Sequence, residues 1–291
     1  MTERSNRYQD IGRLLLSCSD RPGIVAAITR FLFDFGANII HSDQHTLDPF
    51  GGQFFIRIEF YLRDLEKREE EFRAAFSHIA DTFDATWRVS IAKRKKRVAL
   101  YASRSDHALL ELLWRIRNGD LYADVTTVIS NHTNLEPMVT ALGIPFHHVP
   151  MSAELREQAE RREWELMGDD VDLIVLARYM QVLSPQFLAR YPNRIINIHH
   201  SFLPAFVGAD PYGAAYERGV KLIGATAHYA TQELDAGPII EQDVMRVDHG
   251  HSVEDMRRIG RYVERAVLAR AVDWHLQDRI IVYQNKTIVF V

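Results

Sequence analysis

Arg194-Ile195-Ile196-Asn197-Ile198-His199-His200-Ser201-Phe202-Leu203-Pro204 is the stretch from which the organisation of the chain can be read. Its apolar part, Arg194–Ile198, has the length and β-branched content of a buried strand, and polar residues and a proline end it abruptly. Residues at i and i+2 of an extended segment point the same way, so Asn197 and His199 project together near its carboxyl end. Doubly wound α/β sheets bind their ligands at such ends. Upstream, Val98–Ala102, Val125–Ser130 and Leu173–Ala177 are runs of the same kind, with helical patterns near 106–118, 134–142 and 152–168 between them. That alternation predicts a Rossmann-like, mostly parallel sheet covered by helices on both faces. Downstream, Leu222–Ala230 and Pro238–Val247 follow each other without a helix, which predicts an antiparallel extension. Ser252 with Glu254 and Asp255 starts a long helix to about Leu276. Arg279–Tyr283 and Thr287–Val291, hinged at Gln284-Asn285-Lys286, close as a hairpin.

The first third has a different rhythm. Arg13–Ser19 is a short buried strand, and Asp20-Arg21-Pro22-Gly23 turns the chain into a helix that starts at Pro22 and runs to about Gly36. Ile24, Ala27, Ile28, Phe31 and Leu32 recur at helical spacing and face a sheet. Asn38–Leu47 and Gln53–Leu62 form a hairpin around Asp48-Pro49-Phe50-Gly51-Gly52. Asp64–Ala80 is a second helix with Leu65, Phe72, Phe76 and Ile79 inward, and Ala85–Ile91 is a last strand. The order βαββαβ predicts a ferredoxin-like sandwich. Lys93-Arg94-Lys95-Lys96-Arg97 then reads as a solvated linker between two domains; nothing aromatic or basic accompanies it to suggest nucleic-acid binding.

Composition sets outer limits. The chain has 291 residues, 47% hydrophobic and 25% charged, with a formal net charge of −4. This is enough apolar material for two cores, and it provides no basic field to attract nucleic acid or an anionic membrane. The amino-terminal MTERSNRYQD is not signal-like, and no stretch approaches the roughly 18 apolar residues of a membrane helix, so a cytoplasmic location is expected. The single cysteine, Cys18, allows no internal disulfide, and in a buried strand it acts as a hydrophobe rather than a nucleophile.

The chemistry is narrowed by elimination. Thirteen histidines include the pairs His147-His148, His199-His200 and His249/His251. There is no H-E-x-x-H and no cysteine cluster, and adjacent residues on a strand point to opposite faces, so no metal is expected. Asn197 and His199 on one segment, with Asp235 in the turn Thr231-Gln232-Glu233-Leu234-Asp235-Ala236-Gly237-Pro238, could converge on one reacting atom. Beside an imidazole, Asp235 would orient it and raise its proton affinity. Taken locally, each residue has a blander reading. Asp235 suits a turn or cap, and a strand-end histidine is more often a hydrogen-bonded structural residue.

Two blocks together carry a resemblance. Ile196-Asn197-Ile198-His199 with Ser201-Phe202-Leu203-Pro204, and Leu234-Asp235-Ala236-Gly237-Pro238-Ile239-Ile240, resemble the formyltransferase fold of glycinamide ribonucleotide transformylase, methionyl-tRNA formyltransferase and formyltetrahydrofolate deformylase. Asp20-Arg21-Pro22-Gly23-Ile24-Val25 resembles the signature of an ACT domain, and an ACT domain placed first resembles the deformylase family. Val128-Ile129-Ser130-Asn131-His132, Gly143-Ile144-Pro145-Phe146-His147-His148 and Leu176-Ala177-Arg178-Tyr179-Met180-Gln181 are similar to that branch, as is Ala214-Ala215-Tyr216-Glu217-Arg218-Gly219. The resemblance divides the chain into an ACT-like regulatory domain (1–92), a basic linker (93–97) and a catalytic domain (98–291).

The resemblance implies hydrolysis of 10-formyltetrahydrofolate to formate and tetrahydrofolate in one-carbon and purine metabolism. Asn197, His199 and Asp235 would be catalytic, and Arg178, Met180, Gln181, Val182, Leu183, Ala230, Thr231 and Leu234 would form the folate pocket. It implies no cofactor beyond the folate substrate and water, a small amino-acid effector at Gly23 and Asn38, and a homodimer or homotetramer that uses neither nucleic acid nor membrane. The first catalytic-domain strand is followed by Ser103-Arg104-Ser105-Asp106-His107, with no glycine to shape a phosphate nest, which favours water over a phosphorylated acceptor. Two alternatives stay open: transfer of the formyl group to an amine, and a non-catalytic folate or amino-acid sensor. The loop 208–213, Gly-Ala-Asp-Pro-Tyr-Gly, departs from the family. Deformylases more often carry a basic or amide residue at the position of Asp210 and a longer polar side chain at Gly213.

Overall fold

A computed structural model describes residues 8–48, 50–152, 154–168, 170–205 and 210–291; Pro49 and the pair Gly208-Ala209 lie outside the described residues. Two compact units are present. The first runs to Lys95 and also takes in Gln277–Ile281 and Ile288–Val291; the second comprises Lys96–Leu276 and Val282–Thr287.

In the first unit, β1 (Ile11–Ser19), α1 (Ile24–Asp34), β2 (Asn38–Thr46), β3 (Gln53–Tyr61), α2 (Leu65–Thr82) and β4 (Thr86–Ile91) follow the expected βαββαβ order. The antiparallel sheet has the order β2-β3-β1-β4. Alternation places Leu14, Leu16 and Cys18 of β1 and Ile56, Ile58 and Phe60 of β3 in one buried cluster with Ile28 and Leu32 of α1 and Phe72 and Phe76 of α2. Two details differ from expectation. α1 starts at Ile24 rather than Pro22, because Gly23 is its cap residue. The tail was assigned to the catalytic domain, yet Gln277–Ile281 belongs to the first unit. The Arg57 guanidinium donates to the carbonyl of Asp278 at 2.9 Å, and Ser90 donates to its carboxylate at 2.7 Å.

The basic run is not a free linker. Lys93 and Arg94 pair with Glu66 and Glu69 of α2. Lys96 and Arg97 already belong to β5 (Lys96–Ala102), the first strand of the second unit.

That unit continues through α3 (His107–Asn118), β6 (Ala123–Ser130), α4 (Glu136–Ala141), β7 (Phe146–His148), α5 (Arg156–Met167), β8 (Leu173–Leu176), α6 (Pro185–Arg190), β9 (Ile195–His199), α7 (Pro211–Arg218), β10 (Leu222–Tyr229), β11 (Ile239–Arg246) and α8 (Val253–Leu276). Beyond α8, β12 (Ile280–Tyr283) pairs with β13 (Lys286–Val289) as the closing hairpin. The seven-stranded sheet has the order β11-β10-β9-β8-β5-β6-β7. β5 to β9 are parallel and β10 and β11 antiparallel. Near-continuous apolar runs on β5, β8 and β9 are what a sheet covered on both faces requires. One face buries Tyr101, Ile174, Leu176 and Ile195 with Phe187 and with Ala159 and Met167 of α5. α8 packs against β9, β10 and β11 and against α3. Its start is a reciprocal cap: Ser252 Oγ accepts from the Asp255 amide at 3.2 Å, and Asp255 accepts from the Ser252 amide at 3.1 Å.

Sequence periodicity did not resolve β7, α6 and α7. Three residues are too few to show a period in β7, and α6 and α7 each begin at a proline inside irregular sequence.

Candidate active site

β9 ends at His199, and its antiparallel neighbour β10 places His228 directly opposite Asn197. The segment from Ala230 to Gly237 turns back as β11 begins, closed by the Tyr229 amide donating to the Pro238 carbonyl at 3.0 Å. Within that turn Asp235 adopts φ 54°, a left-handed conformation that aspartate tolerates better than most residues. Two strand ends and one turn therefore converge. Asp235 Oδ2 lies 3.3 Å from Nδ1 of His199, and Asp235 Oδ1 lies 3.6 Å from Nε2 of His228. The three residues expected from sequence are assembled at one place.

His228 was not anticipated, although it organises the group. Its Nδ1 faces the carbonyl of Tyr229 at 3.0 Å, and its Nε2 faces the Asn197 amide nitrogen at 3.2 Å. A carbonyl only accepts, so Nδ1 carries a proton, and Nε2 stands between the Asn197 amide and the Asp235 carboxylate. The Asn197 amide is thereby held in place at the edge of the cavity. His199 is anchored from the opposite side. Nδ1 meets Asp235, while Nε2 is buried with no hydrogen-bond partner among the described residues.

Electrostatics follow from these contacts. Burial opposes the charged form of Asp235, but His199 and then His228 outweigh it and hold the carboxyl well below the usual carboxylate range. His200, whose ring centroid is 5.3 Å from that of His199, is lowered to about 4 by burial and then by the charge of Arg178, so it is neutral at pH 7.

A cavity of about 320 Å³ opens beside Asn197, His199, His228 and Asp235. Arg178, Met180, Gln181, Val182 and Leu183 form one wall, and Ala230, Thr231 and Leu234 another. Every residue expected to form a folate pocket thus borders the same space. Met180, Val182 and Leu234 are exposed apolar side chains at 54%, 51% and 64%, a surface suited to a flat aromatic ligand. The wall is tied down from behind. Ser103 Oγ accepts from the Met180 amide at 3.0 Å and donates to Asn131 at 2.7 Å. Glu160 accepts from the Ser184 amide at 2.6 Å and from its hydroxyl. Glu163 accepts from Tyr179 at 3.1 Å, and burial raises the Glu163 carboxyl to about 8.

A second buried carboxylate, also missed from sequence, lies beside this site. Glu264 of α8 meets His107 Nε2 at 2.8 Å, the Tyr212 hydroxyl at 2.8 Å and Arg178 Nε at 3.5 Å. Burial opposes its charged form, but His107 and Arg178 keep the carboxyl below its ordinary value. The two departures in the 208–213 loop prove to be one feature. Asp210 caps α7 by accepting from the Gly213 amide at 3.2 Å, and a Cβ at position 213 would stand 2.2 Å from the Asp210 carboxylate.

In the first unit, Gly23 lines a separate cavity of about 490 Å³ with Asp20, Arg21, Gln44 and Thr46. Asn38 is not among its lining residues. It begins β2, whereas Gln44 lies six residues further along, roughly 20 Å of strand. A single copy of the unit therefore does not bring Gly23 and Asn38 together.

Comparison with known proteins agrees with the geometry. The formyl transferase family model matches residues 96–272, and the ACT domain model matches residues 12–76. A formyltetrahydrofolate deformylase of Bacillus subtilis (strain 168) is 55% identical over 100% of this chain and 98% of that protein. The chain belongs to the formyltetrahydrofolate deformylase family. A crystal structure of a family member from Pseudomonas syringae pv. tomato superposes with a TM-score of 0.91 at 47% identity, covering 99% of this chain and 98% of that one. Glycinamide ribonucleotide transformylase 1 from Symbiobacterium toebii has a TM-score of 0.62 at 31% identity, covering 68% of this chain and 95% of that one. No helix among the described residues is long and apolar enough to cross a membrane.

Proposed function

We propose that this protein hydrolyses 10-formyltetrahydrofolate to formate and tetrahydrofolate, and that Asn197, His199 and Asp235 carry the reaction. The observation behind this reading is the cavity bordered at once by the Asn197-His199-Asp235 group and by the apolar 178–183 and 230–235 walls. The pterin ring occupies the space between those walls, its edge read by backbone groups, which leaves N10 and its formyl group beside His199.

Asp235 holds His199 through Nδ1, and Nε2 accepts a proton from water as the water oxygen bonds to the formyl carbon. The carbonyl oxygen becomes an oxyanion and accepts from the Asn197 amide. Collapse breaks the bond from carbon to N10. The proton taken up by His199 passes to N10, and tetrahydrofolate leaves together with formic acid, which releases its remaining proton to solvent to become formate. Asp235 stays anionic throughout, since its role is to orient the imidazole and compensate its positive charge. The chemistry needs no cofactor beyond the folate substrate.

The first unit serves regulation and assembly in this reading. The cavity at Gly23 takes a small amino acid. Exposed Phe33, Ile40 and Leu47 on α1 and around β2 are covered by a second copy of the chain, in a homodimer or homotetramer that works in the cytoplasm. A second copy also provides the route by which Asn38 reaches an effector bound near Gly23.

Incubation with 10-formyltetrahydrofolate alone tests the activity. Formate released in step with tetrahydrofolate, with no acceptor present, is the expected result. Loss of the formyl group only when an amine is added would assign transfer instead, and binding without turnover would assign a sensor.

A further inference from the structure

The chain passes from β5 through β6 to β7 on one side, then returns to place β8 on the other side of β5. Loops leaving β5 and β8 therefore part in opposite directions, and the crevice between them is the ordinary ligand position of a doubly wound sheet. Here that crevice is spoken for. The loop after β5 brings His107 and the loop after β8 brings Arg178 onto the Glu264 carboxylate, at 2.8 and 3.5 Å. Glu264 is 1% exposed.

Two features show that the cluster is built into the fold. Arg178 adopts φ 64°, a left-handed conformation that an arginine takes only when its surroundings impose it. Gly260 lies one turn before Glu264 on α8, and a Cβ there would stand 1.9 Å from the Tyr212 hydroxyl oxygen. Glycine weakens a helix interior, and at this position it lets Tyr212 cross α8 to reach Glu264. The loop after β5 has also spent its polar groups internally. Ser103 bonds Asn131 and the Met180 amide, and the Arg104 carbonyl accepts from Asn134.

The cluster touches the reacting residues through His200, whose ring centroid is 5.3 Å from that of His199 and 5.8 Å from that of Tyr212. We propose that Glu264, Arg178, His107 and Tyr212 plug the acceptor side of the formyl carbon, so that water reaches it and an amine does not. This rests on the hydrolase reading above. Beside His199 the cavity is also bordered by His200 and Arg178, and Glu264 lies behind Arg178 at 3.5 Å. Arg178 Nη1 is buried there with no hydrogen-bond partner among the described residues, a donor suited to the oxygen of a small nucleophile. The transformylase relative shares the fold, so opening the plug exposes the formyl carbon to an amine. The amine nitrogen then bonds to the formyl carbon, the bond to N10 breaks, and the proton lost by the amine passes to N10.

The test compares the full chain with its Arg178→Gly, His107→Ala and Tyr212→Phe variants. Each receives 10-formyltetrahydrofolate with glycinamide as the amine probe, and formate and formylated glycinamide are quantified together. Arg178→Gly relieves the left-handed backbone at that position, while Tyr212→Phe removes only the hydroxyl. The native protein gives formate alone, at the same rate with or without glycinamide. At least one variant raises the ratio of formylated amine to formate by about 10- to 100-fold; His107→Ala and Tyr212→Phe, which lie outside the folate walls, leave the KM for the folate unchanged. A native-like ratio in all three overturns the plug, as does loss of both products with folate still bound. A native protein that releases no formate overturns the hydrolase reading instead.

Discussion

The side-chain amide of Asn197 and Nε2 of His228 face each other at 3.2 Å from directly opposed positions on β9 and β10. Because His228 is fixed through Nδ1 to the Tyr229 carbonyl, the imidazole sets the direction of the amide. In the proposed hydrolysis, His228 is thus a positioning residue for the Asn197 amide. His228→Ala is expected to lower kcat by roughly 10- to 100-fold with little change in KM, the cost of a misplaced group rather than of lost binding. Steady-state kinetics check this; a rise in KM at constant kcat would make His228 a binding residue.

The Asp235 carboxyl is held below its ordinary value of 3.8 by its two imidazole neighbours. A depressed carboxyl stabilises the folded chain fully above its unfolded value and loses that contribution as pH falls through the folded one. Asp235→Asn is therefore expected to be less stable than the native chain at pH 7, with the gap closing as pH falls below about 4. Urea midpoints of the two proteins across the acid range measure it. A gap that widens on acidification would contradict the assignment. Turnover of the same variant falls by about 10²–10⁴.

Gly260→Ala pits local propensity against packing. Alanine favours a helix interior by about 1 kcal/mol over glycine, but its Cβ would stand 1.9 Å from the Tyr212 oxygen. Overpacking of that kind costs about 1–3 kcal/mol. The expected outcome is a Tm lowered by a few degrees, read by calorimetry; a raised Tm would mean that Tyr212 moves aside freely.

Much of this architecture was legible in the residues alone, for a local reason. Apolar runs such as Val98–Ala102 and Leu173–Leu176 are buried on both faces and need no partner to be recognised, and the turn chemistry around Asp20–Gly23 and Ser252–Asp255 is written in adjacent residues. Asn197 and His199 share one strand end, so their convergence follows from a period of two. His228 and Glu264 escaped because their roles depend on register and crossing. His228 sits in the run Leu222–Tyr229, which reads as ordinary strand until β10 pairs with β9. Glu264 looks like any charge on a long helix until Gly260, four residues earlier, admits Tyr212. The tail was misassigned for the same reason, since nothing in Gln277–Ile281 itself announces the bonds from Arg57 and Ser90.

The cavity at Gly23 predicts an effector. Calorimetric titration of the full chain with glycine and with methionine is expected to show saturable binding of at least one, abolished by Gly23→Val. No heat with either amino acid would leave the first unit a role in assembly alone.

The proposed hydrolysis depends on Asn197, His199 and Asp235 acting on one carbon, and His199→Ala reports on it most directly. Single-turnover release of formate from 10-formyltetrahydrofolate is to be measured beside folate affinity in the native and variant chains. Loss of most turnover with folate affinity nearly native is the predicted result. Native-like release of formate by the variant would contradict it.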